Sequence, residues 1–257
     1  WFGCACCPSN LARLMPQVSG YMYAHNADEI CLGLYGSSQT TISMPDAKVK
    51  IRQVTDYPFD GRIVLQIDPS TSQRFSLKLR IPTWARTKFV PGELYRYMDG
   101  LNPQWTLKVN QAQVQPKIVN GFVALERQWQ AGDKVQLHLP MPLRFSDAID
   151  KVQANRQRLA ITRGPLVYCA EQIDNENKQV QRFYIPKPCS PEQAGLDMVR
   201  KGPLSGIPRL SVPGREVAGS NSRLTKIKMI PYYAWNNRGE ASMIIWLPRT
   251  EAGAQSR

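Results

Sequence analysis

A chain of 257 residues with 42% hydrophobic content carries enough apolar side chain for one or two domains with cores of their own. Its 33 Lys and Arg outweigh 20 Asp and Glu for a formal charge of +13, but the cations are scattered along the chain, which favours solvated strand faces over a nucleic-acid surface. Apolar runs such as Met243 to Leu247 are strand length, so no membrane partner is expected and the protein is read as soluble.

The first ten residues, Trp1 to Asn10, hold Cys4, Cys6 and Cys7, half of the six cysteines. Leu11, Leu14, Met15 and Val18 then keep the i, i+3, i+4, i+7 spacing of an amphipathic helix. This predicts a helix over Asn10 to Val18 that ends by Gly20, with Ser9 or Asn10 as N-cap and Pro16 interrupting it. The thiolate is the reactive form of cysteine and is favoured near a metal, a cation or a helix N-terminus, so a working sulfur fits here. A disulfide between neighbours is strained, which leaves zinc as the better reading for adjacent thiolates. The C-x-x-C spacing is absent, however, and Cys31, Cys169, Cys189, His25 and His138 are isolated.

Tyr21 to Tyr23 and Glu29 to Tyr35 read as two strands joined through Asn26-Ala27-Asp28, with Ile30, Leu32 and Leu34 on one face and Cys31, a small buried side chain, on the other. From Lys48 to Arg144 the period is two. Val49 and Ile51, then Ile63, Leu65 and Ile67, then Phe75, Leu77, Leu79 and Ile81, then Val135, Leu137 and Leu139 each mark the buried side of a strand. Asp60-Gly61, Asp99-Gly100, Asn120-Gly121 and Gly132-Asp133 supply tight turns between them. Short strands with regular turns argue an antiparallel sandwich, on which His138 points away from the core.

A second all-β unit is expected to begin near Asp150, with strands at Leu159 to Ile161, Leu166 to Cys169, Leu224 to Tyr233 and Ser242 to Leu247. Pro186 to Ser222, rich in Pro and Gly, reads as a long irregular loop holding Cys189, and the tail after Pro248 as frayed. Trp84, Trp129 and Trp235 suit core packing better than a sugar platform. No pair of carboxylates stands out as the acid and nucleophile of an ordinary glycosidase.

Trp1-Phe2 with Cys6-Cys7-Pro8-Ser9-Asn10 and Ala12-Arg13 resembles the Cys-Cys-Pro-Pro-Asn segment of the glycoside hydrolases that include β-L-arabinofuranosidases with a cysteine nucleophile, family 127. Leu79 to Ala85, Gln128 to Asp133, Arg163 to Tyr168 and Ile230 to Gly239 look like that family's C-terminal landmarks, in the expected order. Ser9 departs from the pattern where a second proline is common.

The resemblance implies a mainly β chain: residues 1–20 as the last helical segment of an otherwise missing (α/α)6 barrel, 21–148 as a first antiparallel β-sandwich and 149–257 as a second. It implies a retaining hydrolase of L-arabinofuranosyl glycans. Cys6 would be nucleophile and zinc ligand and Cys7 a second zinc ligand, while the remaining ligands and an acid/base glutamate come from the upstream barrel of the same chain. Alone, the 257 residues are then expected to hydrolyse nothing. The resemblance assigns no role to Cys4, allows a homodimer through a sandwich, and fits a cytoplasmic or a periplasmic protein equally. The competing expectation is a non-catalytic sandwich that binds glycan or protein, with structural cysteines.

Overall fold

The computed structural model describes residues 6–176 and 178–255, so Cys4 lies outside the described residues. Contacts divide the chain into two units, Trp1–Pro82 with Gln104–Leu139, and Thr83–Pro103 with Pro140–Arg257.

The first unit opens with a helix, α1 (Cys6–Gln17), that begins four residues before the expected Asn10 start. N–H groups in a helix's first turn have no acceptor within the helix, so Pro8 costs no hydrogen bond there and both cysteines join the turn. Ser9 therefore does not act as an N-cap; its hydroxyl donates back to the Cys6 carbonyl at 3.0 Å. Pro16 falls in the last turn, after which Val18–Tyr21 tightens to a 3-10 turn.

The hairpin of β1 (Tyr23–His25) and β2 (Glu29–Leu32) follows, its turn closed by Asn26 Oδ1, which accepts the N–H groups of Asp28 at 2.9 Å and Glu29 at 2.8 Å. Ile30 and Leu32 are buried as expected. Leu34 lies beyond the strand and is 37% exposed, and Cys31 is half-buried rather than enclosed. Next come β3 (Ser38–Ser43), β4 (Lys48–Thr55), β5 (Arg62–Pro69) and β6 (Gln73–Arg80). The chain then leaves for an excursion that carries β7 (Tyr95–Tyr97). It returns with β8 (Thr106–Val109), β9 (Ala112–Val114), β10 (Ile118–Val119), β11 (Phe122–Trp129) and β12 (Asp133–His138).

These strands form two sheets, in the order β1-β2-β6-β11-β10 and β3-β4-β5-β12-β8-β9. All pairings are antiparallel except β2 with β6. The period-two residues point inward: Val49, Ile51, Ile63, Ile67, Leu77, Leu79 and Val135 have no exposed surface. Trp129 is fully buried, its ring stacked on Phe75 and its indole N–H donating to the Phe75 carbonyl at 3.0 Å. The Asn120-Gly121 turn has the positive φ values, 51° and 83°, of a tight hairpin. Gly61 is required for a different reason, since a Cβ there would meet the Leu139 carbonyl oxygen at 1.8 Å.

In the second unit β7 pairs with β13 (Leu143–Ala148), which places the excursion here. β14 (Arg158–Arg163) and β15 (Leu166–Glu171) form a hairpin through Gly164. β16 (Phe183–Tyr184), β17 (Gly195–Met198), β18 (Pro208–Ala218), β19 (Asn221–Pro231), β20 (Met243–Ile244) and β21 (Leu247–Pro248) complete a sheet of order β16-β18-β19-β15-β14-β13-β7, with β17, β20 and β21 attached to β18, β15 and β14.

The expected irregular loop over Pro186 to Ser222 is thus overturned, because β18 pairs with β19 along nine residue positions from Leu210↔Met229 to Ala218↔Asn221. Pro213 hid it. That residue lies in the stretch 212–214, between the segments that pair with β17 and with β16, and so occupies a gap where a missing N–H does no harm. The tail is not frayed either: α2 (Glu251–Gln255) buries Ala254 against Tyr184 and Val217.

Candidate functional site

Cys6 and Cys7 stand in the first turn of α1, both exposed, with their Sγ atoms 3.7 Å apart. Two sulfurs that bind one tetrahedral zinc at about 2.3 Å must lie about 3.8 Å from each other. The pair as it stands therefore matches one edge of a zinc tetrahedron, and soft thiolates suit that ion. Two donors make half of a four-ligand set. Among the described residues no group of three or more Cys, His, Asp or Glu side chains is placed to hold a metal.

No residue of α1 is buried, and Leu11, Leu14, Met15 and Val18, the stripe read from the sequence, are 39% to 69% exposed. An isolated helix of this length is marginal in water, and an apolar face of this kind acquires stability when covered.

The other cysteines are chemically different. Burial pushes the Cys169 thiol up to about 12, with Glu171 and Asp174 adding to the shift, and burial likewise raises Cys31 and Cys189. Of the described cysteines Cys6 and Cys7 alone are exposed. His25 and His138 are exposed, at a strand end and on an outer sheet face.

Two buried ion networks carried no sequence signal as networks. The Arg144 guanidinium, 2% exposed, donates to both Asp99 oxygens, to the Arg86 carbonyl at 2.9 Å and to the Leu101 carbonyl at 2.9 Å, and lies 3.4 Å over the Tyr97 ring. It pins the 83–103 excursion to β13. Arg238 donates to Glu171 at 2.5 Å and to both oxygens of Asp174 at 2.7 and 2.6 Å, while the Asn236 N–H donates to Glu171 at 3.1 Å. These bonds raise the Arg238 guanidinium above its ordinary range and fasten the loop that follows Ala234. Both networks hold segments in place, with Arg238 Nε the one guanidinium nitrogen of the two arginines that is buried without a partner.

Residues 29–141 match the family described as Beta-L-arabinofuranosidase, GH127 middle domain, and residues 143–248 match the Glycoside hydrolase family 127 C-terminal domain. The chain is 27% identical to a non-reducing end β-L-arabinofuranosidase of Bifidobacterium longum subsp. longum over 97% of its own length and 38% of that relative's. Among solved structures it resembles a GH127 β-arabinofuranosidase, with TM-score 0.92 and 35% identity over 98% of this chain and 40% of that one. It also resembles a GH127 β-L-arabinofuranosidase from Geobacillus stearothermophilus T6, with TM-score 0.84 and 31% identity over 97% of this chain and 38% of that one. The chain thus spans about two fifths of the length of these relatives.

Proposed function

Because this chain belongs to glycoside hydrolase family 127, whose middle and C-terminal domains it carries, we propose that the whole protein is a retaining β-L-arabinofuranosidase with Cys6 as its nucleophile. The observation that supports this most is the exposed Cys6 and Cys7 pair, with sulfurs at 3.7 Å on a helix whose apolar face has no cover.

Cys6 and Cys7 would hold zinc, and the ion when bound keeps the thiols deprotonated near neutral pH. The chemistry then needs a sulfur, an acid and water. The Cys6 sulfur attacks the anomeric carbon of a terminal L-arabinofuranosyl unit, forming a carbon–sulfur bond as the glycosidic carbon–oxygen bond breaks. A carboxylic acid from the remainder of the protein passes its proton to the leaving oxygen. The same group, now a carboxylate, takes a proton from water as the water oxygen displaces sulfur, which returns Cys6 and releases L-arabinose with retained configuration. Cys7 fixes the geometry of the turn that presents Cys6.

In the whole protein, Cys6→Ala is expected to lower kcat for a β-L-arabinofuranoside by about 10⁴-fold or more, the scale of removing a nucleophile, with the far-UV circular dichroism unchanged. Trapping with a slow substrate should add one pentosyl unit to the Cys6 peptide of the unsubstituted protein, read by mass spectrometry. Turnover retained by the variant would overturn the assignment.

A further inference from the structure

The two sheets of the first unit treat their outward charges differently. On the sheet that contains β6 and β11, Lys78 pairs with Glu29 at 2.5 Å and Arg74 with Glu126 at 3.5 Å, while Arg80 donates to the Gly33 carbonyl at 3.4 Å. On the other sheet Lys48, Lys50 and Arg52 of β4, Arg62 of β5, Lys108 of β8 and Lys134 of β12 all project outward and are exposed. Among the described residues none of these six side chains makes an ion pair.

The strand register assembles them into one face. Arg52 and Lys134 flank Gln66 across three strands, Lys108 lies opposite Gln136, and Arg62 lies opposite His138, which lies opposite Thr106. The single acid on the face, Asp68, stands opposite Lys50 and accepts the Gly132 N–H at 2.7 Å and the Gln66 amide at 3.0 Å. Asp60, in the turn before β5, accepts the Arg62 backbone N–H. With about 4.8 Å between strands and about 6.8 Å between same-face residues on one strand, the cations spread over roughly 14 Å across the strands and roughly 27 Å along them.

A positive field of this kind works against the compact state through self-repulsion and lowers the cost of approach for an extended anion. Such a face is also poorly suited to burial, since unpaired cations are costly to desolvate. We propose that it binds an acidic polysaccharide, a polyuronate whose carboxylates meet the Lys and Arg groups while its hydroxyls meet Gln66, Gln136 and Thr106. Nucleic acid is the poorer match. The face carries no Phe, Tyr or Trp for base stacking, His138 being its one ring, and no helix to enter a groove. The inference is independent of the cysteine chemistry and extends the glycan class of the family from the bond cleaved to a second, charged part of the polymer.

The test is affinity electrophoresis of the protein in polygalacturonate, in neutral arabinan and with duplex DNA, at about 50 and 200 mM salt. Retardation by polygalacturonate is expected, with affinity falling about tenfold over that salt range, none by arabinan at this face, and weaker binding of DNA at equal charge concentration. K50E/R52E/K134E should lose about tenfold or more in affinity, because it sets like charge against the anion on a surface that had been complementary to it. K117E/K151E/K226E, an equal change in net charge at exposed lysines elsewhere, should stay within about twofold. Should the first variant not fold by circular dichroism, K50Q/R52Q/K134Q carries the same readout. Absent retardation, equal loss in both triple variants, or tighter binding of DNA would each overturn the proposal. Cys6→Ala should leave it unchanged, so failure here is separable from failure of the hydrolase reading.

Discussion

Helix α1 and the sandwich of the first unit are built to opposite rules. The sandwich buries Trp129, Leu77, Ile63 and Val135 completely and satisfies its backbone in two ladders; α1 buries nothing and presents two thiols and an apolar stripe outward. Buried packing and exposed thiols therefore reside in different segments. The sandwich encloses its own core, whereas the helix leaves its apolar stripe and its two sulfurs exposed. Most of the energy of the fold is hydrophobic burial, so the comparison makes a ranked set of expectations.

The largest effect belongs to the core. Trp129→Ala removes a fully buried ring together with its hydrogen bond to Phe75 and is expected to cost about 3–5 kcal/mol, measured by urea unfolding. A smaller loss would mean that the sandwich is held elsewhere and would blur the contrast. Second comes the ion network at the start of the second unit. Arg144→Met leaves Asp99 without its guanidinium and deprives the carbonyls of Arg86 and Leu101 of their donor. Removing one partner of a buried pair costs about 3–5 kcal/mol, and because the Asp99 side chain is 21% exposed, water recovers part of that; about 2–3 kcal/mol is expected, with the 83–103 excursion becoming sensitive to protease.

The same division explains what the sequence could reveal. The period-two runs over β4, β5, β6 and β12 are local signals written by burial on one face, and the structure places each of them inward. The Cys6 and Cys7 pair was legible because its residues are neighbours. Three features were not local. β18 was masked by Pro208, Pro213 and Gly214: Pro208 is tolerated as the first residue of the strand, Pro213 because the strand's partners on one side are two short strands with a gap between them, and Gly214 is needed because a Cβ there would meet Ile227 Cδ1 at 2.5 Å. Asp99 read as a turn former when its carboxylate serves Arg144, 45 residues away. The basic face was invisible as well, since Arg52, Arg62, Lys108 and Lys134 look like ordinary solvated positions until register sets their strands side by side.

The smallest expected effect is the most discriminating. In the metal-free 257-residue chain Cys6→Ala and Cys7→Ala alter exposed side chains, so each should change unfolding free energy by no more than about 0.5 kcal/mol. Alkylation supplies the complementary reading. With iodoacetamide near pH 8 the native protein should modify at Cys6 and Cys7 and spare Cys169, whose thiol is enclosed and pushed up to about 12. The sign follows from the neutral form being the one the fold favours: stabilisation from a protonated Cys169 is complete below its unfolded value of 9.0 and is lost as pH climbs toward 12, so labelling there should appear with alkaline unfolding. If Cys169 reacted first, or if alanine at position 6 cost as much stability as alanine at position 129, the exposed helix would be part of the folding core and the separation between the two regions would fail.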